Sequence, residues 1–207
     1  MNVQSIILIG RGVRLEPLSE LHVSDLVHVG LDESIWRYMR YGNIQTEEDL
    51  HAWVKEMLLR KVRGTDLPFA VIHLNSERAI GATRYLNVQP HDRNLEIGGT
   101  WYGTAYQGTA VNTECKYLLL KHAFEDLGCI RVQIKTDSRN LRSQHAIEKL
   151  GAVREGLLRN HIINPDGYLR SSIVYSILDS EWPAVKDRLE ARLRNVTLHD
   201  FKAREDT

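Results

Sequence analysis

The chain has 207 residues, of which 43% are hydrophobic and 26% charged, values typical of one soluble domain with a sizeable core. Its 27 basic and 27 acidic side chains balance, which argues against a dedicated nucleic-acid binder. The apolar run Ile6–Ile9 is too short for a signal-peptide core or a membrane span. We therefore expect a cytosolic protein with no nucleic-acid or membrane partner.

The first third of the chain predicts one strand followed by two helices. Val13–Leu18 has a strand pattern, and a capping serine precedes a helix over Glu20–Gly30. Thr46 and Asp49 resemble a capping box that begins a helix ending near Arg63. Apolar residues recur there at three- and four-residue spacing, which predicts one buried face. They are Leu50, Trp53, Val54, Met57 and Leu58.

The middle of the chain is rich in strands, predicted at Pro68–Leu74, Ala79–Gln89 and Asn94–Tyr102. The third strand runs into small residues, 103–110, which open directly into an amphipathic helix over Val111–Leu127. The first N–H groups of a helix lack internal partners, so this junction suits a phosphate or pyrophosphate. Taken alone, an ordinary loop of small residues explains the same segment equally well.

The last third predicts a strand, a helix, a hairpin and a closing helix. These are Ile130–Lys135, Asn140–Leu150, Ala152–Ile163 with Leu169–Leu178, and Glu181–Leu193. The complete order, β-α-α-β-β-β-α-β-α-β-β-α, predicts an α/β fold with a mixed sheet and helices on both faces. Residues 11–193 are predicted to form one domain, and the polar residues 194–207 a disordered tail.

The cysteines and histidines predict no metal site. Cys115 and Cys129 each lie in an apolar pattern and form no Cys-x-x-Cys motif, so we expect buried free thiols rather than a disulfide. The nine histidines show no ligand spacing such as His-Glu-x-x-His.

Three motifs, in this order and spacing, carry a family resemblance: Asn94–Gly98, Gly108–Glu114 and Asn140–Ala152. The chain resembles the GCN5-related N-acetyltransferases (GNAT), in particular the RimJ- and RimL-type branch that acetylates the N-termini of ribosomal proteins. The resemblance covers about residues 11–193. It implies the acyl-CoA N-acyltransferase fold, with a mostly antiparallel sheet that splays open, and acetyl-CoA as co-substrate.

One departure from the family lies in the phosphate loop, whose pattern is Gln/Arg-x-x-Gly-x-Gly/Ala. Gly108 and Ala110 fit this pattern, whereas Ala105 stands at its first position and Gln107 is out of register. Backbone N–H groups bind most of the phosphate in such loops, so the resemblance still implies a cofactor site. Its implied contacts are Thr100, Trp101, Tyr102, Gln107, Gly108, Thr109, Ala110, Val111, Asn112, Thr113, Asn140 and Ser143.

Two residues are predicted to take part in catalysis. Glu96 is the expected general base, because Leu95 and Ile97 point to the other face of the strand and leave its carboxylate for the cleft. A salt-bridged surface glutamate is the alternative. Gly98-Gly99 predicts a bulge, where the resemblance implies that a backbone N–H stabilises the oxyanion. Ser143 is the expected proton donor, or else a contact to the sulfur or a helix-surface serine.

The resemblance implies direct acetyl transfer in a ternary complex to a primary amine, which can be a protein N-terminus, an amino acid or a small amine. Candidate acceptor contacts are Trp36, Arg37, Tyr38, Arg84, Arg159, His161 and Tyr168, unless they serve packing. A basic group either approaches the cofactor's phosphates or is simply solvated: Arg131, Lys135, Arg139 and Arg142. A homodimer is compatible with the sequence. The alternative function is a non-catalytic acyl-CoA-binding or interaction module.

Overall fold

The computed structural model describes residues 1–204, and these contain eight strands. The strands are β1 (Leu8–Ile9), β2 (Val13–Pro17), β3 (Asp66–His73), β4 (Arg78–Gln89), β5 (Asn94–Tyr102), β6 (Arg131–Asp137), β7 (Val153–Ile163) and β8 (Leu169–Leu178). They form one sheet in the order β1-β2-β3-β4-β5-β6-β8-β7. Every pairing is antiparallel except that of β5 with β6. The expected mixed α/β fold is confirmed.

The helices match the predicted order, with local differences. They are α1 (Val23–Gly30), α2 (Glu33–Trp36), α3 (Glu47–Val62), α4 (Val111–Lys121), α5 (Leu141–Leu150) and α6 (Trp182–Arg194). The short α2 was not predicted. A 3-10 turn over Glu20–His22 precedes α1, and α4 continues into a π-helical turn over His122–Asp126. No helix within residues 1–204 has the length and apolar character needed to cross a membrane.

Helices on both faces of the sheet bury two separate apolar clusters. Phe69 belongs to the cluster under α4, α5 and α6, whereas its neighbour Ala70 belongs to the cluster under α1, α2 and α3. This alternation explains why β3 is buried along its whole length. Cys115 and Cys129 are buried and unpaired within the described chain, as predicted.

The sheet opens between β5 and β6. The two strands pair only over Asn94–Glu96 and Arg131–Gln133, although β6 continues to Asp137. On its other side, β5 carries the predicted bulge: Ala82 pairs with Trp101 and Arg84 with Gly98, which leaves two residues of β5 opposite one of β4. Gly99 takes a φ of +58° there, a conformation that favours glycine. The bulge and the divergence create a cleft in the middle of the sheet.

The C-terminal segment, residues 195–204, is ordered in the structure. It forms a 3-10 helix over Leu198–Phe201, and Phe201 is 1% exposed because its ring packs against Gly12. The prediction of a disordered tail is therefore wrong for residues 194–204. That prediction was based on the polar composition of the segment, whereas one aromatic side chain is enough to anchor the segment in the core. The last three tail residues, 205–207, lie outside the described part of the chain.

Candidate active site

A cavity of about 940 Å³ fills the cleft between β5 and β6, at the upper end of the size range of ligand pockets. Predicted site residues that line it are Glu96, Thr100, Trp101, Tyr102, Gln107, Gly108, Thr109, Asn112, Thr113, Asn140 and Ser143. Ala110 and Val111 do not line it. Val111 is fully buried, and Ala110 donates its N–H to the carbonyl of Asp200 at 3.0 Å.

The loop before α4 presents several N–H groups to this cavity. Within residues 1–204, the backbone N–H groups of Gly108, Thr109, Asn112 and Thr113 donate to no protein acceptor. Gly108 has a φ of +76°, which only glycine adopts without strain. The loop therefore offers a set of N–H donors at a helix N-terminus, an arrangement that suits an anion.

Gln107 stabilises the loop from within. Its side-chain amide donates to the carbonyl of Tyr102 at 3.0 Å, and its carbonyl accepts from the guanidinium of Arg142. The side chain thus braces the loop against the end of β5, out of register with the family pattern.

Three arginines surround this loop: Arg142, Arg192 and Arg204. Arg192 donates to the Thr113 hydroxyl at 3.1 Å, and the Arg204 guanidinium lies beside Gly108. No arginine of the three forms an ion pair with a carboxylate inside the described range. Sequence reasoning included Arg142 but missed the other two, which come from the far end of the chain.

Glu96 is 5% exposed and lines the cavity, because Leu95 and Ile97 point into the core as expected. Its carboxylate accepts from the Asn87 amide at 2.9 Å and pairs with Lys135 at 3.0 Å. The Gln133 amide adds a third contact at 3.2 Å. All these partners donate to the Glu96 carboxylate, so they hold it in a fixed position at the cavity wall.

Lys116 is a cavity residue that sequence reasoning missed. It lies on α4, one turn after Asn112 and Thr113, and shares their cavity-facing side. Its ammonium is buried and donates to the Thr100 hydroxyl at 2.6 Å, and that hydroxyl lies 2.7 Å from the Thr83 hydroxyl. Helical spacing from Asn112 is the signal that could have found it.

Asn140 and Ser143 line the cavity from the start of α5. The Asn140 side-chain carbonyl accepts the Ser143 N–H at 3.0 Å, so Asn140 caps α5. Ser143 is half-buried, and its hydroxyl makes no hydrogen bond to residues 1–204. The hydroxyl is therefore free to contact a molecule in the cavity.

Comparison with known proteins establishes the family. The model of the acetyltransferase (GNAT) domain matches residues 13–153, more than half of the chain. The chain belongs to the GNAT family. Members of this family use acetyl-CoA, and acetyl transfer in general is the activity that the match supports.

Solved structures of other proteins share this fold. A T. thermophilus protein classed as an acetyltransferase is 40% identical, with a TM-score of 0.85 over 93% of this chain and 100% of that one. A GCN5-related N-acetyltransferase from Brucella melitensis is 28% identical, with a TM-score of 0.87 over 97% and 91%. Mycobacterium smegmatis RimJ, solved with CoA-disulfide, is 20% identical and shares the fold, with a TM-score of 0.74 over 91% and 93%. No curated protein matches the chain.

The far end of the GNAT cavity is held together by Asp137, whose side chain is fully buried at the end of β6. Arg139 pairs with it at 3.0 Å, and Arg170 lies 3.9 Å away while donating to the Tyr38 carbonyl. Burial would raise the pKa of Asp137, but hydrogen bonds from Arg139 and the charges of both arginines hold it below its ordinary value. Asp137 therefore connects three separate chain segments around this end of the cavity.

Few of the candidate acceptor contacts reach the cavity. Tyr38 and Arg84 line it, and Arg84 also pairs with buried Asp66 at 3.1 Å. Trp36 is wrong as an acceptor contact, because it packs in an aromatic cluster with Trp101. The others do not line the cavity: Arg37, Arg159 and His161 are exposed, and Tyr168 stacks under Arg139.

The predicted basic group near the phosphates is mostly engaged elsewhere. Arg131 pairs with Glu155, Lys135 with Glu96, and Arg139 with Asp137. Arg142 alone of the four contacts the phosphate loop. In the sequence these basic residues look equivalent, because they are charges interspersed along the chain. In the structure their different partners distinguish them.

Proposed function

We propose that this protein is an N-acetyltransferase that transfers acetyl from acetyl-CoA directly to a primary amine in a ternary complex. The observation that carries the proposal is that the buried carboxylate of Glu96 shares one cavity with the bulge at Gly99 and the N–H donors at the start of α4. Family membership supports acetyl transfer. The amine acceptor and the direct mechanism are our inferences from this arrangement.

The residues of the cavity fit acetyl-CoA along its length. The free N–H groups of the loop and the nearby arginines suit the pyrophosphate. The open edge of β5 beyond Gly98 offers backbone groups to the pantetheine amides, and Asn140 lines the same cavity. Ala110 is excluded as an N–H donor because Asp200 already accepts from it. When bound, acetyl-CoA supplies the activated acetyl group.

Glu96 is the proposed base, which accepts a proton from the acceptor amine directly or through one water. The bulge at Gly99 leaves backbone N–H groups unpaired, and one near Thr100 is the proposed oxyanion donor. Neither buried cysteine supports a covalent acyl-enzyme route. Burial raises the pKa of Cys115 to about 12 and that of Cys129 to about 11, so both stay protonated thiols at neutral pH.

The acceptor end of the cavity is basic. Lys135 and Arg84 are neutralised by Glu96 and Asp66, whereas Arg170 shares Asp137 with Arg139. Arg40 also lines this end and forms no ion pair within residues 1–204. This excess of positive charge favours an acceptor that carries a carboxylate or another anion beside its amine.

The test begins with calorimetric titration of acetyl-CoA, desulfo-CoA and ATP, followed by thiol release with an amine panel. Micromolar binding of both CoA ligands, and thiol release in proportion to acetylated amine, are expected. Binding without release across the panel would favour the non-catalytic acyl-CoA-binding module. A folded sample that binds neither CoA ligand would overturn the cofactor site itself.

Glu96→Gln sharpens this test. It removes the base and should slow transfer about 100-fold while changing CoA affinity less than about threefold. Glu48→Gln, on the exposed side of α3, is the matched control and should leave both unchanged. Equal rates for the two variants at equal melting temperature would rule Glu96 out as the base.

A further inference from the structure

The unexplained group in the cavity is the ammonium of Lys116. It is 5% exposed, it faces the cavity, and its one hydrogen bond to a side chain goes to the Thr100 hydroxyl at 2.6 Å. No carboxylate within residues 1–204 lies in ion-pair range of it. Glu114, two residues earlier, turns to the other side of the helix. A buried cation without an anion is unfavourable, so its retention calls for a function.

The chemical state of Lys116 suits proton transfer. Burial lowers the pKa of Lys116 to about 8, which makes the ammonium a proton donor near neutral pH. Its titratable neighbour Cys115, and Tyr102 beside Cys115, are themselves buried and have raised pKa values, so they stay neutral. The other titratable or charged groups on the cavity wall are the Glu96–Lys135 pair and a set of mostly basic side chains: Arg40, Arg84, Arg142, His145, Lys149, Arg170, Arg192 and Arg204.

The position of Lys116 is fixed by the bulge. Thr100 follows Gly99 in the bulge of β5, and its hydroxyl is held between the Lys116 ammonium and Thr83. Under the proposed function, the thioester carbonyl lies at this bulge. The ammonium is therefore tethered beside the bond that breaks.

We propose that Lys116 donates the proton to the departing CoA thiolate, with Thr100 and Thr83 holding its ammonium in place. This inference rests on the proposed function and adds a proton donor to it. Ser143, whose hydroxyl is a weak acid, is then a contact to the sulfur rather than the donor.

The step balances. The amine nitrogen bonds to the carbonyl carbon, the C–S bond breaks, and its electron pair leaves with the sulfur. Glu96 takes the proton that the amine loses and releases it to water. Lys116 gives one proton to the thiolate, becomes neutral, and regains a proton from solvent before the next turnover.

The decisive measurement is the pKa of the CoA thiol in the bound complex. Thiolate absorbance reports it from pH 6 to 10, with the desulfo-CoA complex as the reference. A cation within a few Å lowers a thiol pKa by about 1 unit or more. We therefore expect the thiol to ionise at least about 1 pH unit lower in the wild-type complex than in Lys116→Met. Lys121→Met, exposed on the same helix, is the matched control and should titrate like wild type.

Identical thiol titrations in wild type and Lys116→Met, with CoA bound to both, would overturn this inference and leave the proposed function intact. Failure of wild type to bind CoA would instead overturn the proposed function. If Lys116→Met does not fold, Lys116→Gln gives the same comparison, since it also lacks the charge.

Lys116→Arg separates charge from proton transfer. The guanidinium keeps a positive charge beside the sulfur but does not release a proton. The thiol of bound CoA should ionise as in wild type, whereas acetyl transfer should be about 100-fold slower than in wild type. Transfer at the wild-type rate in Lys116→Arg would show that charge alone is needed and would overturn the role as proton donor.

Discussion

Two buried charges on α4, Glu114 and Lys116, lie on opposite sides of one helix and differ in how they are satisfied. The Glu114 carboxylate accepts three backbone N–H groups, from Arg11–Val13, at 2.8 to 3.0 Å. Lys116 has a single hydroxyl partner, Thr100. Both side chains are at least 95% buried, so burial alone does not separate them.

This contrast separates a buried charge that stabilises the fold from one that is available to a ligand. Glu114 has its acceptor capacity filled by the chain, and it fastens the segment before β2 to α4. Lys116 keeps unused donors that point to a cavity. A buried charged group that lacks some of its hydrogen-bond partners within the protein is a candidate for binding a ligand or reacting with it.

Glu114→Ala should have a large effect on stability. Three N–H groups would lose their acceptor in a buried place, so the free energy of unfolding should fall by at least about 3 kcal/mol. Urea unfolding measures this. A loss below about 1 kcal/mol would mean that Glu114 contributes little to anchoring the N-terminal segment.

Thr100→Val tests the other side of the helix. Valine keeps the shape of threonine but frees the Lys116 ammonium, and we expect transfer to slow roughly tenfold with the free energy of unfolding within about 1 kcal/mol of wild type. Thiol-release kinetics and urea unfolding report the two effects. A large stability loss at an unchanged rate would assign Thr100, and its link to Lys116, to structure.

Stability against pH sharpens the contrast further. Below pH 8, Lys116 is charged in both states, and the folded state carries the cost of burial. Between about pH 8 and its ordinary value of 10.5, the unfolded chain binds a proton that the folded chain lacks, so stability rises with pH. Lys116→Met should therefore be more stable than wild type below pH 8, with the advantage disappearing by about pH 10.5. A constant difference would contradict the burial argument.

The smallest expected effect concerns Arg204, another cation without a carboxylate partner among residues 1–204. It is exposed and beside the loop at Gly108, so Arg204→Ala should weaken acetyl-CoA binding only about fivefold. Lys202→Ala is the neighbouring control, expected to bind like wild type. Raising the salt concentration should reduce the difference in acetyl-CoA affinity between the two variants. A difference that does not change with salt would argue against a charge contact.

Local sequence patterns predicted most of the helices and strands and part of the geometry of the candidate site. Alternation placed Glu96 opposite its apolar neighbours, and the paired glycines predicted the bulge; the structure agrees with both. The roles of Glu96 and Ser143 in catalysis stay predictions. The polar composition of the last residues led to the wrong prediction of a disordered tail, because it gave no weight to the single buried aromatic side chain of Phe201.

What the sequence missed depends on distant parts of the chain. Arg192 and Arg204 reach the loop from segments about 80 to 100 residues away, and no local period marks such contacts. Lys116 was overlooked for another reason. The sequence prediction considered only the first turn of its helix, whereas the side of the helix that lines the cavity continues into the second turn.

The hydrogen bond from the Ala110 N–H to the Asp200 carbonyl, and the 2.7 Å hydrogen bond from the Arg204 N–H to the Ala105 carbonyl, join the loop before α4 to residues 200–204. These partners are made about 90 to 100 positions after the loop during synthesis. The loop therefore gains both contacts only once the segment 195–204 has been made and has docked. The conformation of this side of the cavity is then completed late in folding, after the strands around it can already have paired.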